Sequence, residues 1–357
     1  MDSRTALGLR LSSLLLRGNA PSSVGEIVSW FGAMQSQDAN SMLWSLGARL
    51  PGWSLADVND ALEKRTVLRT WPMRGTVHLV PAVDAHWMLE LMGSRQLVGA
   101  AKRREQLGID ERDAELAVEV LGSALTGGKR LTRSECMATL TSGGVEVSGQ
   151  RGYHLLWYVS QRGVTAIAPH VGKEQTFVLL DEWAPAPFRP AREEALGLIA
   201  LRYFQSHGPA TRKDFAGWTG LTMADCKTGI AVAGDALATV DVDGVEMIAS
   251  ASLLGSASPF TGWLALSGFD EYMLGYKDRS LMATPSDLAA IIPGGNGVFQ
   301  STLVRDGRVV ATWKRVLGSK GVTVTVLPLA SLPAKAAEKA LAPFADFLGV
   351  PLTVKNP

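Results

Sequence analysis

Cysteine is scarce in this chain, and so are other marks of a disulfide-rich or metal-binding protein. Only two cysteines, Cys136 and Cys226, occur in 357 residues, and they lie far apart. Two isolated cysteines indicate neither a disulfide framework nor a metal cluster, so we expect a reducing, cytoplasmic environment. The five histidines have no HxxxH-type spacing, which argues against zinc. We therefore expect no metal and no cofactor.

Long apolar runs and a strong net charge are also absent. No uninterrupted stretch approaches the roughly 18 apolar residues that a membrane span needs. Arg10, Ser12 and Ser13 interrupt the apolar N-terminal segment, which is therefore unlike a signal peptide. The formal net charge is +1, so a surface that binds phosphates must be local. Because 46% of the residues are hydrophobic and 19% charged, we expect a folded globular protein of several small domains, without membrane contact.

A repeated pattern of helix starts organises the sequence. Three of the places where a hydroxyl residue is followed three positions later by an acid, which is the spacing of a capping box, have the same surroundings. A helical pattern precedes each of these starts, and two short β-like runs around a polar turn follow. The order helix, helix, helix, hairpin is typical of a winged-helix unit, so we predict three in tandem. The caps are Ser23 with Glu26, Thr132 with Glu135 and Thr211 with Asp214; the preceding helices are 5–16, 111–125 and 192–207, and the hairpins are 67–80, 164–180 and 237–249.

The domain organisation follows from this repeat. The first unit contains an additional helix at 41–50, and three prolines within 181–192 indicate a linker. From about residue 250 the pattern changes to strands, with a strong hairpin signal at Asp306-Gly307 and an amphipathic C-terminal helix. We predict an α+β, helix-rich protein in which three winged-helix units precede a β-rich module. The predicted domains are 1–81, 82–181, 182–250 (linker and third winged helix) and 251–357.

Several familiar catalytic motifs are missing. The stretch GSALTGGKR resembles a phosphate-binding loop, but its spacing differs and Arg130 stands where a serine or threonine should follow the lysine. The stretch GGNGVFQ lacks the third glycine of a dinucleotide fingerprint. There is no GxSxG elbow. The sequence therefore gives no sign of nucleotide binding or of serine hydrolase chemistry.

Local pairs of basic residues are candidates for DNA binding. Any one of them is typical of a solvated surface charge. Their position beside aromatic residues on units of a DNA-binding type favours contact with nucleic acid. The candidates are Arg69 and Arg74 at the first hairpin, Lys277 and Arg279, and Lys314 and Arg315 on the late strand.

Four stretches, in this order, resemble one known family. They are GAMQSQD, RTWPMRGTVHL, RYFQSHGPATRKDFAGWTGL and FDEYMLGYKDR. The combination spans nearly the whole chain and resembles the AlkZ-type winged-helix DNA glycosylases, relatives of YcaQ. The resemblance implies a C-shaped arrangement around a DNA-sized channel. It also implies monofunctional glycosylase activity on bulky N7-alkylated purines, including unhooking of interstrand crosslinks.

The resemblance also implies a site and a setting. Gln35 and Gln37 match the Gln-x-Gln catalytic motif, although Ser36 stands where the family often has an aliphatic residue. The implied partner is double-stranded DNA carrying alkyl adducts or crosslinks, bound by a monomer in the bacterial cytoplasm and nucleoid. The role could be general DNA repair or self-resistance to a genotoxic natural product, and the sequence leaves both open.

The chemistry of two glutamines constrains their geometry. Side chains two residues apart share a face only in an extended chain, so Gln35 and Gln37 can converge only if 35–37 is extended. A glutamine is no general base, but its carbonyl oxygen accepts a hydrogen bond from water and can lie against a developing positive charge. An N7-alkylated purine is cationic and leaves as a neutral base. Two neutral amides therefore suit such a substrate.

Two alternatives stay open from the sequence. Asp38 could act as a general base or oxocarbenium stabiliser, or it could cap the helix that follows, and capping is favoured because Asp38 points away from Gln37 in an extended segment. The protein could also be a non-enzymatic winged-helix DNA binder, such as a regulator or a drug-sequestering resistance protein, or a protein–protein scaffold. Base release separates the enzyme from both.

Overall fold

The computed structural model describes residues 1–355, which fold as two compact units. One unit combines Met1–Asp60 with the chain from Leu196 onward, and the other is Ala61–Ala195. The first boundary lies inside the predicted domain 1–81, so the four-domain division stays a prediction. Within residues 1–355, no helix is both long and apolar enough to cross a membrane.

The discontinuous unit contains most of the helix starts predicted from the sequence. Its N-terminal part consists of three helices and a two-residue strand, and helices then alternate with strands after Leu196. The helix Leu55–Glu63 contains the first boundary, and the helix Arg192–His207 contains the second. The other helices are Ser3–Ser13, Val24–Phe31, Ala39–Gly47, Arg212–Thr219, Met223–Ala233, Gly234–Ala236, Ala251–Ser256, Glu271–Leu274, Pro285–Ile291, Pro293–Gly295 and Ala334–Leu348. The strands are Met34–Gln35, Leu237–Val242, Val245–Ser250, Trp263–Leu266, Ser301–Arg305, Arg308–Gly318, Gly321–Pro328 and Leu352–Lys355.

The C-terminal part of this unit is a five-stranded sheet. Counted from one edge, its strands are Leu352–Lys355, Gly321–Pro328, Arg308–Gly318, Ser301–Arg305 and Trp263–Leu266. The last helix packs on the sheet through Phe344, whose ring contacts both Trp44 and Trp313. Trp313 is 2% exposed and is therefore a core residue. The strand Leu352–Lys355 pairs in parallel with Gly321–Pro328, and the sequence did not reveal it.

The other unit combines two hairpins in one sheet. The hairpin strands are Val67–Met73 with Thr76–Pro81 and Thr165–Val171 with Glu174–Leu179, and Arg130–Thr132 adds an edge strand. The hairpins join through the pairing of Arg69 with Ile167. Trp71 is 1% exposed in the core on this sheet. The helices are Ala82–Asp84, Ala85–Met88, Leu89–Gly93, Ser94–Gly99, Ala101–Gln106, Glu111–Leu125, Arg133–Ser142, Arg151–Gln161 and Leu180–Trp183.

The predicted helix caps and hairpins are observed. Thr132 and Thr211 each form a reciprocal capping box with the acid three residues later. Ser23 also accepts a hydrogen bond from the Glu26 amide. The helices Glu111–Leu125 and Arg192–His207 have the predicted bounds, and the three hairpins agree within two residues at each end. The α+β class with a sheet-rich C-terminal module is thus confirmed.

Candidate active site

The segment GAMQSQDANS connects two helices of the discontinuous unit. The helix Val24–Phe31 ends at Gly32, whose φ of 77° turns the backbone out of the helix in a region that favours glycine. Met34–Gln35 is extended, and Asp38 then caps the helix Ala39–Gly47. The local sequence therefore imposes a short extended stretch between a helix stop and a helix start.

Gln35 and Gln37 contact each other across this stretch. The Gln35 Oε1 atom accepts a hydrogen bond from the Gln37 backbone N–H at 3.1 Å, and Gln35 Nε2 donates to Gln37 Oε1 at 3.4 Å. Gln35 is only 7% exposed, whereas Gln37 is exposed. Ser36 between them is buried. The two amides thus converge, as the chemistry required, and the catalytic role of the pair remains a prediction.

Asp38 adopts the geometry of a helix cap. Its Oδ1 atom accepts a hydrogen bond from the Ser41 N–H at 2.6 Å, and its backbone is extended, as at a standard N-cap. The Asp38 carboxylate also lies near Arg315. Burial lowers the pKa of Arg315, and the Asp38 charge partly opposes this decrease. Whether Asp38 also takes part in chemistry remains a prediction.

A buried carboxylate lies directly behind the glutamine segment. Glu271 is 1% exposed, and its Oε1 atom accepts a hydrogen bond from the Gln35 backbone N–H at 2.8 Å. Its Oε2 atom accepts from Trp218 Nε1 at 3.0 Å and lies 3.2 Å from His207 Nε2. None of these three supporting residues, Glu271, Trp218 and His207, was predicted from the sequence. The only sign was that two ionisable residues, Glu271 and His207, stand within apolar and aromatic stretches.

The basic residues of this unit differ in their surroundings. Lys277 and Lys314 are exposed, and Arg279 is half-buried with its guanidinium 5.0 Å from the centre of the Phe299 ring. Arg315 is half-buried beside Asp38. Because successive side chains of a strand alternate faces, Lys314 projects from the face opposite to Arg315. Their DNA-binding roles remain predictions.

The two basic residues of the first hairpin belong to the other unit. Arg69 is 5% exposed at the junction of the two hairpins, donates to the Ala168 carbonyl at 3.3 Å, and has a pKa lowered by burial to about 10. Arg74 is half-buried in the turn, and its Nη2 lies 3.5 Å from His78 Nε2. The DNA-binding roles of both residues remain predictions. The burial of Arg69 leaves it little surface to offer a phosphate.

Comparison with known proteins agrees with this arrangement. The model of the family described as DNA glycosylase AlkZ-like matches residues 28–348. The interstrand DNA cross-link repair glycosylase of Streptomyces sahachiroi is 29% identical over 333 residues, covering 85% of this chain and 89% of that protein. The solved structure of the Streptomyces sahachiroi DNA glycosylase AlkZ superposes with a TM-score of 0.84 at 26% identity, over 100% of both chains. The chain belongs to the AlkZ-like family of DNA glycosylases.

Proposed function

We propose that this protein is a monofunctional DNA glycosylase that releases bulky N7-alkylated purines, including crosslinked ones, with Gln35 and Gln37 as its catalytic residues. The observation that supports this most directly is the hydrogen-bonded glutamine pair, with Gln37 exposed and Gln35 buried behind it. The relative from Streptomyces is named as an interstrand cross-link repair glycosylase, which supports crosslinks as substrates. We further propose that the protein acts as a monomer on double-stranded DNA of the bacterial nucleoid.

The reaction needs no proton donor because the lesion carries the positive charge. When the C1′–N9 bond breaks, its electron pair goes to the cationic purine, which leaves as a neutral base. The sugar then develops oxocarbenium character, and a water molecule adds to C1′ and loses a proton to solvent. The products are an abasic site and the free alkylpurine.

Gln37 is the residue that faces this chemistry. Its carbonyl oxygen accepts a hydrogen bond from the attacking water and lies against the developing positive charge, a neutral form of electrostatic stabilisation. Gln35 holds the Gln37 backbone through its Oε1 atom and faces the Gln37 carbonyl through Nε2. The two nearby carboxylates are engaged elsewhere, since Asp38 caps a helix and Glu271 is buried.

A site with two neutral amides and no proton donor accounts for selectivity for alkylated bases. A normal purine is neutral and would leave as an anion unless an acid protonated it, and an amide supplies no proton at neutral pH. The pair therefore accelerates only a departure that the lesion has already made favourable. Undamaged DNA should stay intact.

DNA binding by the exposed basic residues completes the proposal. Lys277 and Lys314 have solvated ammonium groups, and Arg279 and Arg315 are half-buried beside aromatic rings. Contacts of this kind neutralise phosphates without reading sequence. This suits an enzyme whose substrate is a lesion rather than an operator.

The test is release of an N7-alkylguanine from a duplex oligonucleotide under single-turnover conditions, measured by mass spectrometry. We expect Gln37→Ala to lower the rate constant by about 100-fold or more, the scale of losing one preorganised electrostatic partner. Gln35→Ala should lower it by about 10-fold or more through misplacement of Gln37. Gln106→Ala, which truncates an exposed glutamine of the other unit, is the matched control. Undiminished base release by the Gln35→Ala, Gln37→Ala double variant would refute the assignment.

A further inference from the structure

The Glu271 carboxylate is fully engaged below the glutamine segment. One oxygen accepts from the Gln35 backbone N–H, and the other accepts from Trp218 Nε1 and contacts His207 Nε2. A carboxylate 1% exposed to solvent is costly unless its lone pairs find donors. The groups in contact with it come from the glutamine segment and from two consecutive helices, Arg192–His207 and Arg212–Thr219. Glu271 therefore ties the glutamine segment to two helices.

The residues around His207 hold its imidazole ring in place. Its ring stacks on Tyr203 with centroids 4.7 Å apart, and its Nδ1 atom lies 2.8 Å from the Ser206 hydroxyl. Gly275 allows the close approach, since a Cβ atom there would lie 2.2 Å from the His207 ring. These contacts hold the His207 ring against the Glu271 Oε2 atom, which is the carboxylate oxygen that does not contact Gln35.

A chain of hydrogen bonds leads from Glu271 to the exposed glutamine. Glu271 Oε1 holds the Gln35 N–H, Gln35 Oε1 holds the Gln37 N–H, and Gln35 Nε2 faces Gln37 Oε1. Each link fixes the backbone or the amide orientation of the next residue. If the first link is removed, Gln35 loses the fixed partner of its backbone, and the position of Gln37 loosens with it.

We propose that Glu271 is a positioning residue for base release. Its carboxylate holds the Gln35 backbone and, through Gln35, sets the place of the Gln37 amide at the reacting sugar. This inference rests on the proposed function of the two glutamines. A shift of about 1 Å in a catalytic group costs on the order of 100-fold in rate, so a supporting carboxylate of this kind has a measurable effect.

The decisive variant is Glu271→Gln, which keeps the shape and removes one acceptor. A glutamine amide has one oxygen and one NH₂ group, so its NH₂ must face either the Gln35 N–H or the Trp218 N–H, and one donor stays unpaired in either orientation. We expect the single-turnover rate constant to fall by about 10- to 100-fold, the range found when a group that orients a reactive residue is lost. The Kd for lesion-containing duplex should change less than about 3-fold, because Glu271 has no exposed surface to offer DNA.

Asp270→Asn is the matched control for lost stability. Asp270 precedes Glu271 in the chain, is 2% exposed, and also holds a network, with Arg49 at 2.8 Å and Ser45 at 2.7 Å, but it does not contact Gln35. Its variant should lose at least as much stability as Glu271→Gln and keep the wild-type rate constant within about 3-fold at temperatures where both are folded. Glu271→Asp, which keeps the charge but is one methylene shorter, covers the case in which Glu271→Gln does not fold; we expect about 10-fold slower release from it.

The outcomes separate this inference from the proposed function. A wild-type protein that releases no base, or a Gln37→Ala variant as fast as wild type, contradicts the proposed function itself. If those results are as expected, a folded Glu271→Gln or Glu271→Asp variant within about 3-fold of the wild-type rate overturns the positioning role. An equal loss in Asp270→Asn also overturns it, because general destabilisation would then explain the effect. In the Gln37→Ala background, Glu271→Gln should slow release by no more than about 3-fold, since both act through one group.

Discussion

Replacing Asp38 separates helix capping from chemistry in the glutamine segment. In the structure the carboxylate accepts from the Ser41 N–H at 2.6 Å at the start of the helix Ala39–Gly47. Loss of an N-cap by substitution with alanine costs about 1 kcal/mol. Because Asp38 is exposed, its attraction to Arg315 adds little to this figure. Asp38→Ala should therefore lower the free energy of unfolding by about 1 kcal/mol, which is a decrease of about 2–4 °C in Tm for a unit of this size.

The assay compares three variants by urea denaturation and by single-turnover base release. Asp38→Ala loses the cap, whereas Asp38→Asn and Asp38→Ser remove the carboxylate and keep a capping side chain. A loss of about 1 kcal/mol leaves a protein of ordinary stability almost wholly folded at 25 °C, so the rate constant of Asp38→Ala should change less than about 3-fold. Asp38→Asn and Asp38→Ser should match wild type in both measurements. A loss of about 100-fold in rate with unchanged stability in these two variants would show that the carboxylate takes part in chemistry besides capping the helix.

The remaining predictions concern charge and thiol reactivity. If exposed Lys277 contacts a phosphate, Lys277→Ala should weaken binding to duplex DNA and lower the slope of log K against log salt by about 0.9. Arg69→Ala changes a buried position and should therefore change stability rather than that slope. Equal slopes for wild type and Lys277→Ala would show that Lys277 contacts no phosphate. Burial raises the pKa of Cys136 to about 12 and that of Cys226 to about 11, so neither thiol should react with a disulfide reagent at pH 8 in the folded protein, and both should react in denaturant. Because both thiols are held neutral in the folded state, they contribute stability that is complete below about pH 9 and is lost as the pH rises toward 11 and 12. Rapid labelling of the native protein at pH 8 would contradict the predicted low reactivity of the two thiols.

Local signals in the sequence predicted the elements that are set by local chemistry. The capping boxes at Thr132 and Thr211 mark helix starts because the bonds involved join residues three apart. The helix after the glutamines begins at Ala39, two residues before the predicted start, because its cap is Asp38. The hairpins follow in the same way from turn residues and alternation.

Features that depend on distant partners were not predicted. The strand Leu352–Lys355 is short and becomes a strand through parallel pairing with Gly321–Pro328. The helices between residues 85 and 106 were also missed, and so was Leu55–Glu63, although Ser54 and Asp57 at its start have the spacing of a capping box. A propensity argument gives little weight to such segments, since tertiary packing decides them.

In the candidate site too, features set by neighbouring residues could be predicted, and contacts between residues far apart in sequence could not. The turn out of the preceding helix at Gly32 and the cap at Asp38 follow from neighbouring residues. The contact between Glu271 and Gln35 joins positions 236 residues apart, and the sequence alone contains nothing that brings them together. The burial of Arg69 has a similar origin, because it depends on the pairing of its strand with Thr165–Val171.

Membership of the AlkZ-like family decides between the functions that the sequence left open. An enzyme that breaks N-glycosidic bonds is favoured over a regulator, a drug-sequestering protein or a scaffold. The specific lesion and the choice between self-resistance and general repair follow from substrate comparison. Rates for monoadducts and for crosslinks of several alkylating agents, measured with one protein preparation, would rank them.

The most direct test of the central claim is the single-turnover rate of N7-alkylguanine release by wild type and by Gln37→Ala on the same duplex. The account predicts release by wild type, a rate about 100-fold lower or more for Gln37→Ala, and unchanged duplex binding, because the exposed amide acts on the sugar and water and not on the DNA backbone. Equal rates for the two proteins would contradict the assignment of Gln37 and the mechanism built on it.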